Sequence, residues 1–224
     1  PKDNDDGMAP PTLAESTRLI HRALEAGINH IDTARGYGNS EEVVGHALKG
    51  KREQAIITTK VSCFAADGTI LKGKVLQKAV DESIETSLRL LQTDHVDVLM
   101  LHSAPTDLLT DGEALSALRA VQARGLTRLV GASTYGSEAP LLAIDQGAEV
   151  LQVAFNILDQ QLADKVLPLA AEKGVGMVIR SVFLKGALTS RAEDLPPHLS
   201  VLREKSTAIA QYVTSLTPSI SREE

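Results

Sequence analysis

The 224-residue chain is 43% hydrophobic and 23% charged, enough apolar material for a sizeable core and too much for a disordered or collagen-like chain. Its net charge of -6 sets up no positive field for nucleic acid or an anionic membrane surface, and no run of about 18 apolar residues suggests a membrane span. The single Cys63 has no partner for an internal disulfide and no signal-peptide pattern is visible, which points to a reducing, cytoplasmic setting.

The chain opens on Pro1 and a polar stretch, Lys2 to Gly7, that reads as a processed or truncated start or a solvated loop. An amphipathic pattern over about 13–26 predicts a first helix, and Gly27 supplies its left-handed end. Ile28 to Asp32 then reads as a strand. Asn39-Ser40-Glu41-Glu42 has capping-box spacing, with Asn39 as cap and Glu42 three residues on, and opens a helix over 40–49. Ala55 to Lys60 is the second apolar run. The helix expected over 74–92 has the clearest period: Leu76, Val80, Ile84, Leu88 and Leu91 take one face, while Lys78, Asp81, Glu82, Glu85 and Arg89 take the other. Strands follow at Val96 to His102, Thr127 to Ala132, Glu149 to Phe155 and Val175 to Ser181, separated by helical patterns at 111–124, 137–146 and 162–173. Gly125 and Gly174 each sit between a helix and a strand, as Gly27 does. A last amphipathic pattern runs from Leu199 to Val213.

Six strands, apolar on both faces and alternating with helices, predict an α/β fold with one parallel sheet in a single domain over residues 1–224, with 1–12 and 215–224 as loop or disordered ends. The choice lies between an open doubly wound sheet and a (β/α)8 barrel. Gly36-Tyr37-Gly38 lacks the third glycine of a dinucleotide fingerprint, which leans towards the barrel.

Two motif matches fail on chemistry. Gly68 to Val75 has the outline of a phosphate-binding loop, but Val75 stands where a hydroxyl would hold magnesium. His95 and His102 have no partner cluster with metal-ligand spacing, so no metal is expected. What remains is polar residues where apolar strands end: Asp32, Lys60 and His102, with Tyr37 five residues beyond Asp32. Singly each has a structural explanation, as a turn cap, a snorkelling cation, a satisfied core histidine or a loop-packing ring. Jointly they fall on the barrel face that hosts active sites. Tyrosine, with an ordinary pKa of about 10, is a proton donor at neutral pH. A lysine beside it would stabilise the phenolate, an aspartate would hold that lysine charged, and a histidine would orient a carbonyl oxygen. Such a set lacks a nucleophile and a metal, so the missing component is a hydride donor such as nicotinamide.

Gly27-Ile28-Asn29-His30-Ile31-Asp32-Thr33-Ala34, then Tyr37-Gly38-Asn39-Ser40-Glu41 and Gly45, resembles the first signature of the aldo-keto reductases. Ile57-Thr58-Thr59-Lys60 and Leu101-His102 fall where that family keeps its next two catalytic residues, and the resemblance runs from about residue 13 to 190. It implies a (β/α)8 barrel binding NADP(H) without a Rossmann domain, with Asp32, Tyr37, Lys60 and His102 as a catalytic tetrad and Tyr37 as the acid. Gly131-Ala132-Ser133-Thr134 resembles the Gly-x-Ser-Asn segment that holds the nicotinamide carboxamide, so Ser133 is carried over while Thr134 departs from the usual Asn. Gln152, four residues before Asn156, matches the family's cofactor-contacting glutamine. Arg180 and Ser181 with Leu184 and Gly186 resemble the next cofactor segment.

The pattern also departs from the family. Residues 1–12 hold no apolar run for the family's first strand, and Ser215 to Glu224 offers neither an eighth strand nor a basic loop for the 2′-phosphate, Arg222 being the one cation after Lys205. Six strands do not close such a barrel, and unpaired edges offer a route to self-association. Two readings follow: an NADP(H)-dependent reductase of a small carbonyl or sugar-type compound, or a shortened, weakly catalytic relative with a binding or assembly role. A third, Schiff-base chemistry at Lys60, conflicts with Asp32 holding that lysine protonated. Phe64 and Phe183 are the aromatics placed to line a pocket, too few for a steroid-sized substrate.

Overall fold

The structure, a computed structural model, describes residues 11–216. In chain order these form α1 (Leu13–Glu25), β1 (His30–Asp32), α2 (Ser40–Ala47), β2 (Ile56–Val61), α3 (Gly73–Leu91), β3 (Val96–Leu101), α4 (Thr106–Leu109), α5 (Glu113–Ala123), β4 (Thr127–Ser133), α6 (Glu138–Asp145), β5 (Val150–Ala154), α7 (Val166–Lys173), β6 (Gly176–Arg180) and α8 (Ser200–Leu216). The six strands lie in one sheet in sequential order, β1 to β6, with parallel pairing through the first five. Sequential parallel strands joined by helices are the (β/α) barrel arrangement, whereas a doubly wound sheet reverses its order at a switch point.

The described residues divide into two compact units. One holds the described residues up to Val153 together with Asp164–Val178; the other holds Ala154–Ala163 and the described residues from Ile179 onward. In the first unit, β3 is buried along its whole length, and Val98, Met100 and Val150 form a cluster against which Val178 packs. The register that builds it, Met100 opposite Gly131 and Gly131 opposite Val150, admits only glycine at 131, because a Cβ there would collide with the Val150 carbonyl. On the outer layer Leu76, Val80, Ile84 and Leu91 of α3 are buried as their spacing predicted, each worth about 2 kcal/mol of apolar transfer. Helix α2 packs on α3 closely enough that a Cβ on Gly45 would meet the Leu90 carbonyl.

Several local expectations are corrected. Asn39 does stand at the N-cap of α2, but its backbone (φ -93°, ψ 13°) is not extended, and its side chain makes no capping bond. A full capping box instead opens α1, where Glu15 N donates to Thr12 Oγ1 at 3.3 Å and Thr12 N donates to Glu15 Oε2 at 2.8 Å. The pattern over 111–124 yields α5 only from Glu113, because Gly112 enters it in a left-handed conformation (φ 72°), and the four-residue α4 precedes it unanticipated. Helix α7 starts at Val166 rather than 162; Leu162 is buried all the same, so the apolar period there registered burial and not helix. Ser215 and Leu216, expected in a loop, complete α8. Gly27, Gly125 and Gly174 all adopt the left-handed conformation expected of them. The expectations for residues 1–10 and 217–224, Arg222 included, lie outside the described residues.

In the second unit, Phe155 N donates to Arg180 O at 3.3 Å and Asn156 Nδ2 to Ser181 O at 3.2 Å. Asn156 Oδ1 accepts from Leu158 N and Asp159 N, closing a tight turn. Short 3-10 turns at Leu184–Gly186, Ser190–Asp194 and Pro197–Leu199 lead into α8. No helix among the described residues is long and apolar enough to cross a membrane.

Candidate functional site

Asp32 is the last residue of β1, Lys60 the penultimate residue of β2, His102 follows β3 directly, and Ser133 ends β4. Because the strands are parallel and in register, all four emerge at one end of the sheet. Lys60 is fully buried, and its Nζ donates to Asp32 Oδ2 at 2.6 Å and to the Thr33 carbonyl at 3.0 Å. Burying an ammonium is costly unless it is paired and hydrogen-bonded, and these two acceptors meet that demand. They also hold Nζ as a donor, which is unfavourable for the Schiff-base reading.

Tyr37 stands on the turn between β1 and α2. The Lys60 Nζ lies 5.0 Å from the centre of the Tyr37 ring, and the His102 ring meets Tyr37 edge-on, with centres 5.5 Å apart and planes at 89°. Among the described residues neither the Tyr37 hydroxyl nor the His102 ring has a hydrogen-bond partner, and Tyr37 is 44% exposed. Burial lowers the proton affinity of His102 and the Lys60 charge adds to this, against a smaller opposing effect of Asp32, so the imidazole is neutral at neutral pH. Gly36 passes close by: a Cβ there would lie 3.4 Å from His102 Cε1.

Gln152 joins the same group. Its Nε2 donates to Asp32 Oδ1 at 3.1 Å, so the two oxygens of Asp32 are divided between Gln152 and Lys60. Ser133 and Gln152 are register partners on β4 and β5, both nearly fully buried. Among the described residues the Ser133 hydroxyl and the Gln152 Oε1 have no hydrogen-bond partner. A donor and an acceptor side by side match a primary carboxamide, which offers one acceptor oxygen and an NH2 donor; this pair therefore fits the nicotinamide head group.

Arg180, Ser181, Leu184 and Gly186 belong to the second unit. Arg180 ends β6, and Ser181 (φ 63°), Leu184 (φ 46°) and Lys185 (φ 57°) all adopt left-handed backbone, a costly conformation for residues other than glycine, before Gly186 at φ 93°. Phe183 in that turn is 44% exposed, and Phe64 lies on the loop after β2, bridged to Ile70.

Some features of the first unit were given no role from the sequence. Glu41, on the first turn of α2, is 1% exposed, accepts from Thr59 Oγ1 at 2.6 Å and pairs with Arg35 Nη1 at 2.8 Å. Its partners are 6 and 18 residues away, so no local motif announces them. A cleft of about 360 Å³ lined by Gly73, Leu76, Gln77, Asp111, Glu113 and Ser116 shares no residue with the Tyr37 group. Lys72 and Asp111 form an ion pair beside it.

The model of the aldo/keto reductase family matches residues 3–218. An aldo-keto reductase of Bacillus subtilis is 30% identical over 79% of this chain and 54% of its own length. An Escherichia coli protein described as an NADH-specific methylglyoxal reductase is 31% identical over 76% of this chain and 57% of its own. The crystal structure of an aldo-keto reductase from Klebsiella pneumoniae in complex with NADPH is 25% identical, with a TM-score of 0.67 over 78% of this chain and 60% of that one. The chain thus spans somewhat more than half the length of these relatives.

Proposed function

Since the chain belongs to the aldo/keto reductase family, we propose that it interconverts a small aldehyde or ketone and the corresponding alcohol with NADP(H), and that Tyr37 is the proton donor. The observation that carries this reading is the pair of polar groups without a partner among the described residues, the Tyr37 hydroxyl and the His102 ring, beside a Lys60 ammonium that is bound to Asp32.

The geometry supports the following roles. A carbonyl oxygen entering between Tyr37 and His102 accepts a hydrogen bond from the phenol and from the neutral imidazole. As negative charge grows on that oxygen, the phenol proton moves to it. The Lys60 ammonium, 5.0 Å from the Tyr37 ring centre, offsets the charge left on the ring. Asp32 keeps Lys60 in place, and Gln152 keeps Asp32 in place. The Ser133 hydroxyl and Gln152 Oε1 would hold the nicotinamide carboxamide. For the second unit, the family resemblance supports Arg180, Ser181, Leu184 and Gly186 as cofactor contacts. When bound, the nicotinamide supplies the hydride that reduces the carbonyl carbon.

A small, polar carbonyl compound is the proposed substrate class, supported by the few aromatics and by the methylglyoxal reductase among the relatives. The NADPH complex of one relative and the NADH specificity of another make the choice of cofactor a matter for measurement on this chain. Replacing Tyr37 by Phe is expected to lower turnover of methylglyoxal about 10²–10⁴-fold while leaving NADPH affinity unchanged in a calorimetric titration. Undiminished turnover in that variant would sink the assignment.

A further inference from the structure

The turn that carries Tyr37 is fastened to β2 by a second set of contacts, on the face of that strand opposite Lys60. Successive residues of a strand point to opposite faces. Lys60 reaches Asp32 and the Thr33 carbonyl on one side, while Thr59 reaches the carboxylate of Glu41 on the other. That carboxylate holds Arg35, two residues before Tyr37, through its second oxygen at 2.8 Å. The same turn is tied by Arg35 N to the Lys60 carbonyl at 3.4 Å, by Thr33 Oγ1 to Ser40 Oγ at 2.9 Å, and by Tyr37 N to the Ala34 carbonyl at 3.0 Å. Tyr37 itself has no side-chain hydrogen bond to any described residue, so its ring is placed by the backbone it hangs from.

We propose that the buried Glu41, bridging Arg35 and Thr59, is the positioning residue that sets Tyr37 over Lys60. This rests on the reading of Tyr37 as the proton donor, and it adds a residue that touches neither substrate nor cofactor. The physical argument is one of cost. Glu41 is a carboxylate at 1% exposure, and a buried carboxylate is retained against desolvation only when charge-assisted bonds hold it in one geometry. Arg35, with a third of its side chain exposed, could solvate itself without Glu41; the bond to Glu41 therefore constrains the turn and is not needed to satisfy the arginine. An error of about 1 Å in the acid's position costs on the order of 10²-fold in rate.

The test uses the chain labelled with 3-fluorotyrosine. It contains three tyrosines, Tyr37, Tyr135 and Tyr212, and the Tyr37 fluorine signal is assigned by its loss in Tyr37→Phe. In the unaltered chain the edge-on His102 ring is expected to displace that signal from the exposed Tyr212. In Glu41→Ala the Tyr37 signal is expected to move towards Tyr212 or to broaden, with the other two unmoved, and kcat for methylglyoxal to fall about tenfold or more with little change in the KM for NADPH. Thr59→Val, which removes one bond to Glu41 at nearly constant volume, is expected to give a smaller displacement of the same signal, and it decides the matter where Glu41→Ala does not fold. A Tyr37 signal unmoved and unbroadened in the folded variants overturns the proposal, including where kcat falls. That outcome is separate from a failure of the catalytic reading, which would show as full turnover in Tyr37→Phe while Glu41→Ala still displaces the Tyr37 signal.

Discussion

The two ends of the same strands each carry a buried ion pair, and they are built differently. Where β2 and β3 begin, Arg52 donates to Asp97 Oδ2, to the Ala55 and His95 carbonyls and to Thr93 Oγ1, and Asp97 also accepts from Ile57 N. Both partners have most of their hydrogen-bonding capacity used within the protein. Where the same strands end, Lys60 and Asp32 are equally well bound, but beside them stand a phenol and an imidazole with no partner among the described residues. A buried charge is therefore not itself a mark of function; the mark is polar groups left unsatisfied next to it.

The comparison can be broken from either end. The largest effect is expected for Lys60→Met, with turnover lower by about 10²–10⁴-fold but little change in stability, because Asp32, 34% exposed, can rehydrate. Steady-state kinetics and urea unfolding on the same preparation would show it, and a stability loss matching the activity loss would erase the contrast. Arg52→Met is expected to do the reverse. It leaves Asp97, at 12% exposure, as an unpaired carboxylate and should cost about 3 kcal/mol, with turnover per folded molecule unchanged.

The pH dependence separates the two ends further. Burial pushes the Asp97 carboxyl up, but the Ile57 amide, the bond and charge of Arg52 and the charge of Arg128 together hold it below the ordinary value. A carboxyl depressed in the folded state stabilises above its unfolded pKa of about 3.9, and that stability is lost as pH falls through the lower folded value. Unfolding curves between pH 5 and 2 should flatten in Asp97→Asn. His102, also depressed, stabilises above about pH 6.5 and loses that contribution as pH falls through its lower folded value. Its imidazole signals in proton NMR should titrate below those of exposed histidines, and Lys60→Met should move the midpoint upward by removing the cation. The smallest effect is expected at Arg128, 63% exposed and 3.4 Å from Asp97 Oδ1: Arg128→Ala should cost about 0.5 kcal/mol, and less in high salt.

How much of this was legible in the sequence follows the range of the interactions. Strands β1 to β6 and helix α3 announced themselves by apolar period, and the left-handed glycines by their position between helix and strand. Asp32, Lys60 and His102 were legible because a polar residue ending an apolar run needs only local reading, and the parallel sheet then gathers such ends. Glu41 with Arg35 and Thr59 was not, nor was Arg52 with Asp97, 45 residues away: each depends on which side chain faces which across elements distant in sequence. The Thr12 capping box was overlooked at a place where Thr12 and Glu15 have the motif's spacing, while the similar spacing at Asn39 misled, since spacing does not specify the extended backbone a cap requires.

The most direct measurement is the fate of a deuterium label. With NADPH deuterated at the transferring position of the nicotinamide, the alcohol formed from methylglyoxal should carry deuterium on the former carbonyl carbon, and Tyr37→Phe should abolish its formation. An alcohol free of deuterium, or one formed as fast without the Tyr37 hydroxyl, would contradict the account.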